Sequence, residues 1–181
     1  MTTTTAERNA RLGRWLRLLA WGGAVAAWLV PVVVKATAGL PWTTFDFIVW
    51  GAMLLVAAGV CEVGLRLSGS LAYRAGVVVA AGTSFLIVWS NLAVGIIGDE
   101  TNPLNQIFFG VIAIAAVGSF LVRFRAKGMA TVMLVAAAAQ AATIALAVVR
   151  EPLVVAFLGV FTLGWLLAAW LFREAARGET A

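Results

Sequence analysis

The chain reads as six long apolar runs separated by short polar stretches that collect nearly all of its charge. The runs are Trp15–Val34, Phe45–Leu67, Leu71–Ile97, Ile107–Phe124, Met129–Val149 and Leu153–Phe172. A helix rises about 1.5 Å per residue, so crossing a hydrocarbon layer of about 30 Å takes roughly 20 apolar residues. Helices also satisfy their own backbone polar groups, which lipid cannot do for them. The pattern therefore predicts an all-α integral membrane bundle of six transmembrane helices, with neighbours antiparallel because the connections are short. It divides the chain into a tail over 1–14, a single six-helix domain over 15–173 and a second tail over 174–181.

Charge adds an orientation. Eleven of the thirteen Lys and Arg residues fall on one side once the runs are threaded back and forth. They are Arg8, Arg11, Arg14 and Arg17 before the first run, Arg66 and Arg74 between the second and third, Arg123, Arg125 and Lys127 between the fourth and fifth, and Arg173 and Arg177 after the sixth. The other side holds Lys35 and Arg150 with Asp46, Asp99, Glu100 and Glu151. Basic residues near span ends stay in the cytoplasm, so both termini are expected there. The Arg-rich start followed by Ala36-Thr37-Ala38 also resembles a cleaved secretory signal. Its apolar run exceeds the roughly 7–15 residues of a signal core, so the segment is expected to remain as a span.

Composition removes several functions. The chain is 63% hydrophobic and 12% charged, against about 45–50% and about 25% in soluble domains. Its net charge of +5 sits at the ends of apolar runs, which argues against nucleic acid as the partner. There is no histidine and a single cysteine, Cys61. That takes away the commonest metal ligand and general base, as well as any internal disulfide, so no cofactor is expected.

Polar residues inside lipid are costly and invite explanation. In the third run Thr83, Ser84, Ser90 and Asn91 repeat at a spacing of seven, with Gly76, Gly95 and Gly98 on the same face. This suits a helix-packing seam, with the lining of a polar path as the alternative. In the second run Gly51, Leu55, Gly59, Glu62 and Arg66 share a face, and Glu62 and Arg66 are spaced for an i,i+4 pair. A structural ion pair is expected; the alternative, a proton-carrying carboxylate, would lose any pH-coupled activity in Glu62→Gln. Gln140, with Thr143 three residues on, should bond a neighbouring helix. Pro31 should kink or end the first helix. Trp15, Trp42, Trp50 and Trp170 lie near run ends and read as interfacial anchors. A shift of 59 residues superimposes Trp50-Gly51, Gly59 and Leu65-Arg66 on Phe109-Gly110, Gly118 and Phe124-Arg125, a weak internal repeat.

After the third run comes the densest set of oxygen-bearing side chains: Asp99, Glu100, Thr101, Asn102 and Asn105, with Gly98 and Pro103. Gly, Asp, Asn and Pro each favour turns, so a structured turn or docking loop is expected. Hard cations also take such oxygens, which keeps a calcium site open as the alternative.

The run Val88-Trp89-Ser90-Asn91-Leu92-Ala93-Val94-Gly95-Ile96-Ile97-Gly98, continued to Asn102-Pro103, resembles a family of small multi-pass bacterial inner-membrane proteins. The stretch Arg123-Phe124-Arg125-Ala126-Lys127-Gly128-Met129-Ala130 is similar to that family's RFRPRGMA hinge, with Ala126 in place of the proline. Ser90 likewise stands where the family pattern has valine. The matches cover about residues 70–150. The resemblance implies a bacterial inner-membrane location and no particular activity. Three functions are consistent with these observations. A non-enzymatic accessory or structural subunit, partnered by another membrane protein or by copies of itself, is the first. A small permease or channel lined by Thr83, Ser84, Asn91 and Gln140 is the second. An enzyme is the least supported, because acids, bases and ligands do not cluster.

Overall fold

A computed structural model describes residues 5–148 and 152–178. The described residues form six α-helices: α1 (Thr5–Ala38), α2 (Thr44–Leu67), α3 (Leu71–Ala93), α4 (Gln106–Leu121), α5 (Ala126–Val148) and α6 (Pro152–Gly178). A single 3-10 turn, Pro103–Asn105, precedes α4. The fold is all-α, and each of the six helices is long and apolar enough to cross a membrane. The chain falls into two compact units, Met1–Gly69 and Ser70–Ala181.

The first unit is the antiparallel α1–α2 hairpin. Gly39 ends α1 in the left-handed region (φ 70°), where its missing Cβ removes the steric cost. Thr43 then starts α2 with a reciprocal capping box: its hydroxyl accepts from the Asp46 N–H, while the Asp46 carboxylate accepts from the Thr43 N–H at 2.6 Å. Of the two outcomes expected of Pro31, a kink or a helix end, the end does not occur; α1 runs through it to Ala38. The reason lies across the hairpin. A proline at 31 has no N–H to give the carbonyl of Ala27, four residues earlier. That carbonyl instead accepts the indole N–H of Trp50 at 3.1 Å. Trp50 therefore fills a backbone gap in α1, a role that its place near a run end did not suggest. Below it, the edge of Trp28 packs on Gly51, where an added Cβ would meet the indole at 3.0 Å.

The second unit packs α3, α4, α5 and α6 around a core of Ile87, Phe108, Met133, Leu158, Trp165 and Phe172. Buried positions on α6 include Leu158, Phe161, Trp165, Ala168, Phe172 and Ala175, in alternating steps of three and four, with Ala169 buried beside them. That is the seam of knobs and holes seen in nearly antiparallel helix pairs. Alanines and glycines let the backbones approach. A Cβ on Gly128 would stand 2.5 Å from Val122 Cβ, and one on Gly118 2.7 Å from Val132 Cγ1. The two glycines are the sites where α4 and α5 interlock. The repeat-related glycines behave oppositely: Gly59 and Gly110 have open space where Gly118 and Gly51 are crowded. The internal repeat therefore carries no shared packing role.

Helix ends differ from expectation in informative places. α1 begins at Thr5, so most of the expected tail 1–14 is helical, as Arg, Ala, Glu and Leu favour. α6 likewise continues past Phe172 to Gly178, where Arg177 and Glu174 pair one turn apart. α3 stops at Ala93 although the sequence stays apolar to Ile97. Gly95 and Gly98 both take φ 72°, and a side chain at 95 would collide with the Asp99 backbone. These two glycines shape a loop; they do not continue the helical seam.

Candidate functional site

Three polar clusters stand out against the apolar background. The first joins α1 to α2. Glu62 Oε1 accepts from Arg66 Nε at 2.7 Å, the expected i,i+4 pair, and also lies 3.1 Å from Arg17 Nε of α1. Arg17 was not readable as a partner, because the antiparallel register that brings it opposite Glu62 is set by the hairpin. Glu62 Oε2 is buried and has no hydrogen-bond partner. Two guanidiniums on one carboxylate leave the cluster with a net positive charge and anchor one end of the hairpin. Lys35 anchors the other: its ammonium donates to the Trp42 carbonyl and lies 5.6 Å from the Phe47 ring centroid.

The second cluster is the α3 seam. Gly76 receives the ring of Phe172, and Thr83 packs on Gly164, so the seven-residue repeat faces α6. Ser84, the next residue, turns its hydroxyl back to the Ala80 carbonyl at 2.9 Å. Asn91 leaves the seam altogether and donates to the Asn105 carbonyl at 2.8 Å. Of the four polar residues expected on one face, Thr83 and Ser90 are buried in packing, while Ser84 and Asn91 are engaged with backbone.

The third cluster is the loop 95–105, organised by one side chain. Asn105 Oδ1 accepts from the N–H groups of Ile96 (3.2 Å) and Ile97 (2.8 Å). Its Nδ2 donates to the carbonyls of Ile97 (3.3 Å) and Asp99 (2.7 Å). An amide presents one acceptor and one donor edge, and both are fully used here. Asn102 caps the 3-10 turn by accepting from Leu104 N–H at 3.0 Å. Asp99 Oδ1 accepts from both the N–H (2.8 Å) and the hydroxyl (2.6 Å) of Thr101. These bonds hold the Asp99 carboxyl below the usual carboxylate range, the Thr101 hydroxyl first and its N–H second. Glu100 is exposed. The oxygens that could have ligated a cation are largely spent on closing the turn.

Gln140 departs from expectation. It is wholly buried, yet its amide bonds Thr143 on its own helix at 3.3 Å, and its Oε1 has no partner. Among the described residues, the neighbouring-helix bond expected of it does not form. Trp165, also wholly buried, has an unpartnered indole N–H; nothing in its sequence context marked it. Among the described residues, no group of three His, Cys, Asp or Glu side chains is placed to hold a metal ion. Compared with models of protein families, with curated proteins and with solved structures, the chain matches none.

Proposed function

We propose that the chain is a non-enzymatic accessory or structural subunit of a larger membrane assembly, in the bacterial inner membrane with both termini cytoplasmic. The observation that carries this reading is how little of the hairpin is covered. Only 6% of the α1 span and 11% of the α2 span is buried, against 44% for α5. Leu55, Val56, Val60 and Val63 on α2 and Val25, Leu29 and Val33 on α1 stand exposed. Helices in lipid associate by packing and shape, and the two helices of the hairpin leave these faces uncovered by each other, which suits the helices of a partner. The polar residues that a permease would need on α3 are committed to packing and to the loop, which favours the subunit reading over a path along that helix.

Native purification in mild detergent tests it. The proposal expects a second protein at fixed stoichiometry through successive columns. A pure homo-oligomer that passes a solute in liposomes would replace this reading with the permease.

A further inference from the structure

At one end of the four-helix unit a single buried side chain ties together three segments, each of which carries cations next to its contact residue. Tyr73, in the first turn of α3, is 2% exposed. Its hydroxyl donates to the Phe124 carbonyl in the α4–α5 turn at 2.8 Å, and its ring meets that of Phe172 on α6 edge-on at 5.1 Å. The cations flank these three contact points in sequence: Arg74 beside Tyr73, Arg123 and Arg125 on either side of Phe124 with Lys127 just beyond, and Arg173 beside Phe172. Arg123, Arg125, Lys127 and Arg173 are exposed, and among the described residues no carboxylate pairs with them. Among the described residues of this unit, Glu174 is the acid on this end, and it pairs with Arg177.

The turn that presents this charge is built in an unusual way. Val122, Arg123 and Phe124 donate their N–H groups to the carbonyls of Gly118, Phe120 and Ser119, which closes the C-terminus of α4 in the Schellman pattern. The left-handed position of that pattern normally holds glycine, yet here Arg123 (φ 53°) and then Phe124 (φ 58°) occupy the region. Arg125 and Lys127 also sit at the start of α5, where the helix dipole disfavours cations. Neither placement stabilises the turn itself; the same charge that orients the spans also leaves these side chains available to anions at the membrane surface. Just before them Phe120 and Leu121 are 70% and 77% exposed, which puts hydrocarbon directly against the charge.

We infer that this basic crown is a binding surface for acidic phospholipids, with the phosphate held by Arg125, Lys127 and Arg173 and an acyl chain lying along Phe120 and Leu121. Guanidinium forks match phosphate oxygens, and the exposed apolar pair distinguishes a lipid from a free anion. The inference is independent of whether the chain has a protein partner.

The test places the purified full chain in nanodiscs of phosphatidylcholine doped with phosphatidylglycerol and reads retained lipid by native mass spectrometry. Each cation removed should weaken retention about fivefold, so Arg125→Gln/Lys127→Gln/Arg173→Gln loses on the order of a hundredfold. The control Arg8→Gln/Arg11→Gln/Arg14→Gln, equal in charge, should retain the lipid as the unaltered chain does. Equal loss in both triples, or none in the first, overturns the site. Displacement of the lipid by inorganic phosphate would assign the crown to a free anion and also overturn it. If the first triple does not fold, the unaltered chain decides: its Tm rises with phosphatidylglycerol and not with phosphatidylcholine, and an equal rise with both contradicts the inference.

Discussion

In the α1–α2 hairpin the helices meet through directed polar contacts: Trp50 to the Ala27 carbonyl, Lys35 to the Trp42 carbonyl, Arg17 to Glu62. In the four-helix unit they meet through shape, with valines seated over Gly118 and Gly128 and an alanine-rich seam between α5 and α6. Directed contacts are few and local, so they fix register while leaving most of both helices uncovered. Interlocking side chains cover area. The same apolar composition thus yields one unit closed by its own interlocking helices and one held by a few directed contacts.

The largest effect that separates the two should come from the loop closing the four-helix unit. Asn105→Ala leaves two buried N–H groups and their facing carbonyls without partners, a loss on the order of 3 kcal/mol or more in detergent thermal unfolding. Asn105→Asp should not restore it, because a second carboxylate oxygen would face the Ile97 and Asp99 carbonyls. Next come the glycines. Gly128→Val forces α4 and α5 apart and should cost about 1–3 kcal/mol, whereas Gly59→Val on the hairpin, with open space at its Cβ, should change the same melting curve little. A comparable loss at Gly59 would mean that α2 is packed more closely than the hairpin suggests.

Within the hairpin, Trp50→Phe should cost about 1–2 kcal/mol by stranding the Ala27 carbonyl. Pro31→Ala restores a helical N–H to that carbonyl, so in its background the Trp50→Phe penalty should largely vanish. A double-mutant cycle measures the difference, and additive losses would show that the indole contributes by packing alone. The smallest effect is the pH response of Asp99. Its folded pKa is depressed, so its stabilisation is present above the ordinary aspartate value of about 3.9 and is lost as pH falls through the lower folded value. Thr101→Val should flatten that acid limb of stability against pH.

Six helices, their approximate spans and the Glu62–Arg66 pair were legible because each rests on local pattern. Hydropathy could not see that α3 ends at Ala93, since Val94, Ile96 and Ile97 are as apolar as the helix before them. Gly98 already stands in the turn-forming stretch, but Gly95 is placed outside the helix only once Asn105 is known to bond Ile96 and Ile97. Pro31 announced an unsatisfied carbonyl at Ala27, but not that Trp50 would answer it, because that depends on hairpin register. Arg17 and Glu62 are hidden for the same reason. Gln140's position in the middle of an apolar span points to a bond with a neighbouring helix, while Thr143, three residues on, is the nearer partner.

The openness of the hairpin is tested most directly by a photo-crosslinking residue at Leu55 on α2, with Leu163 on α6 as its counterpart, both exposed apolar sites. Irradiation in native membranes should yield a discrete protein adduct from position 55 and lipid adducts from position 163. Lipid adducts alone from position 55 would contradict the account.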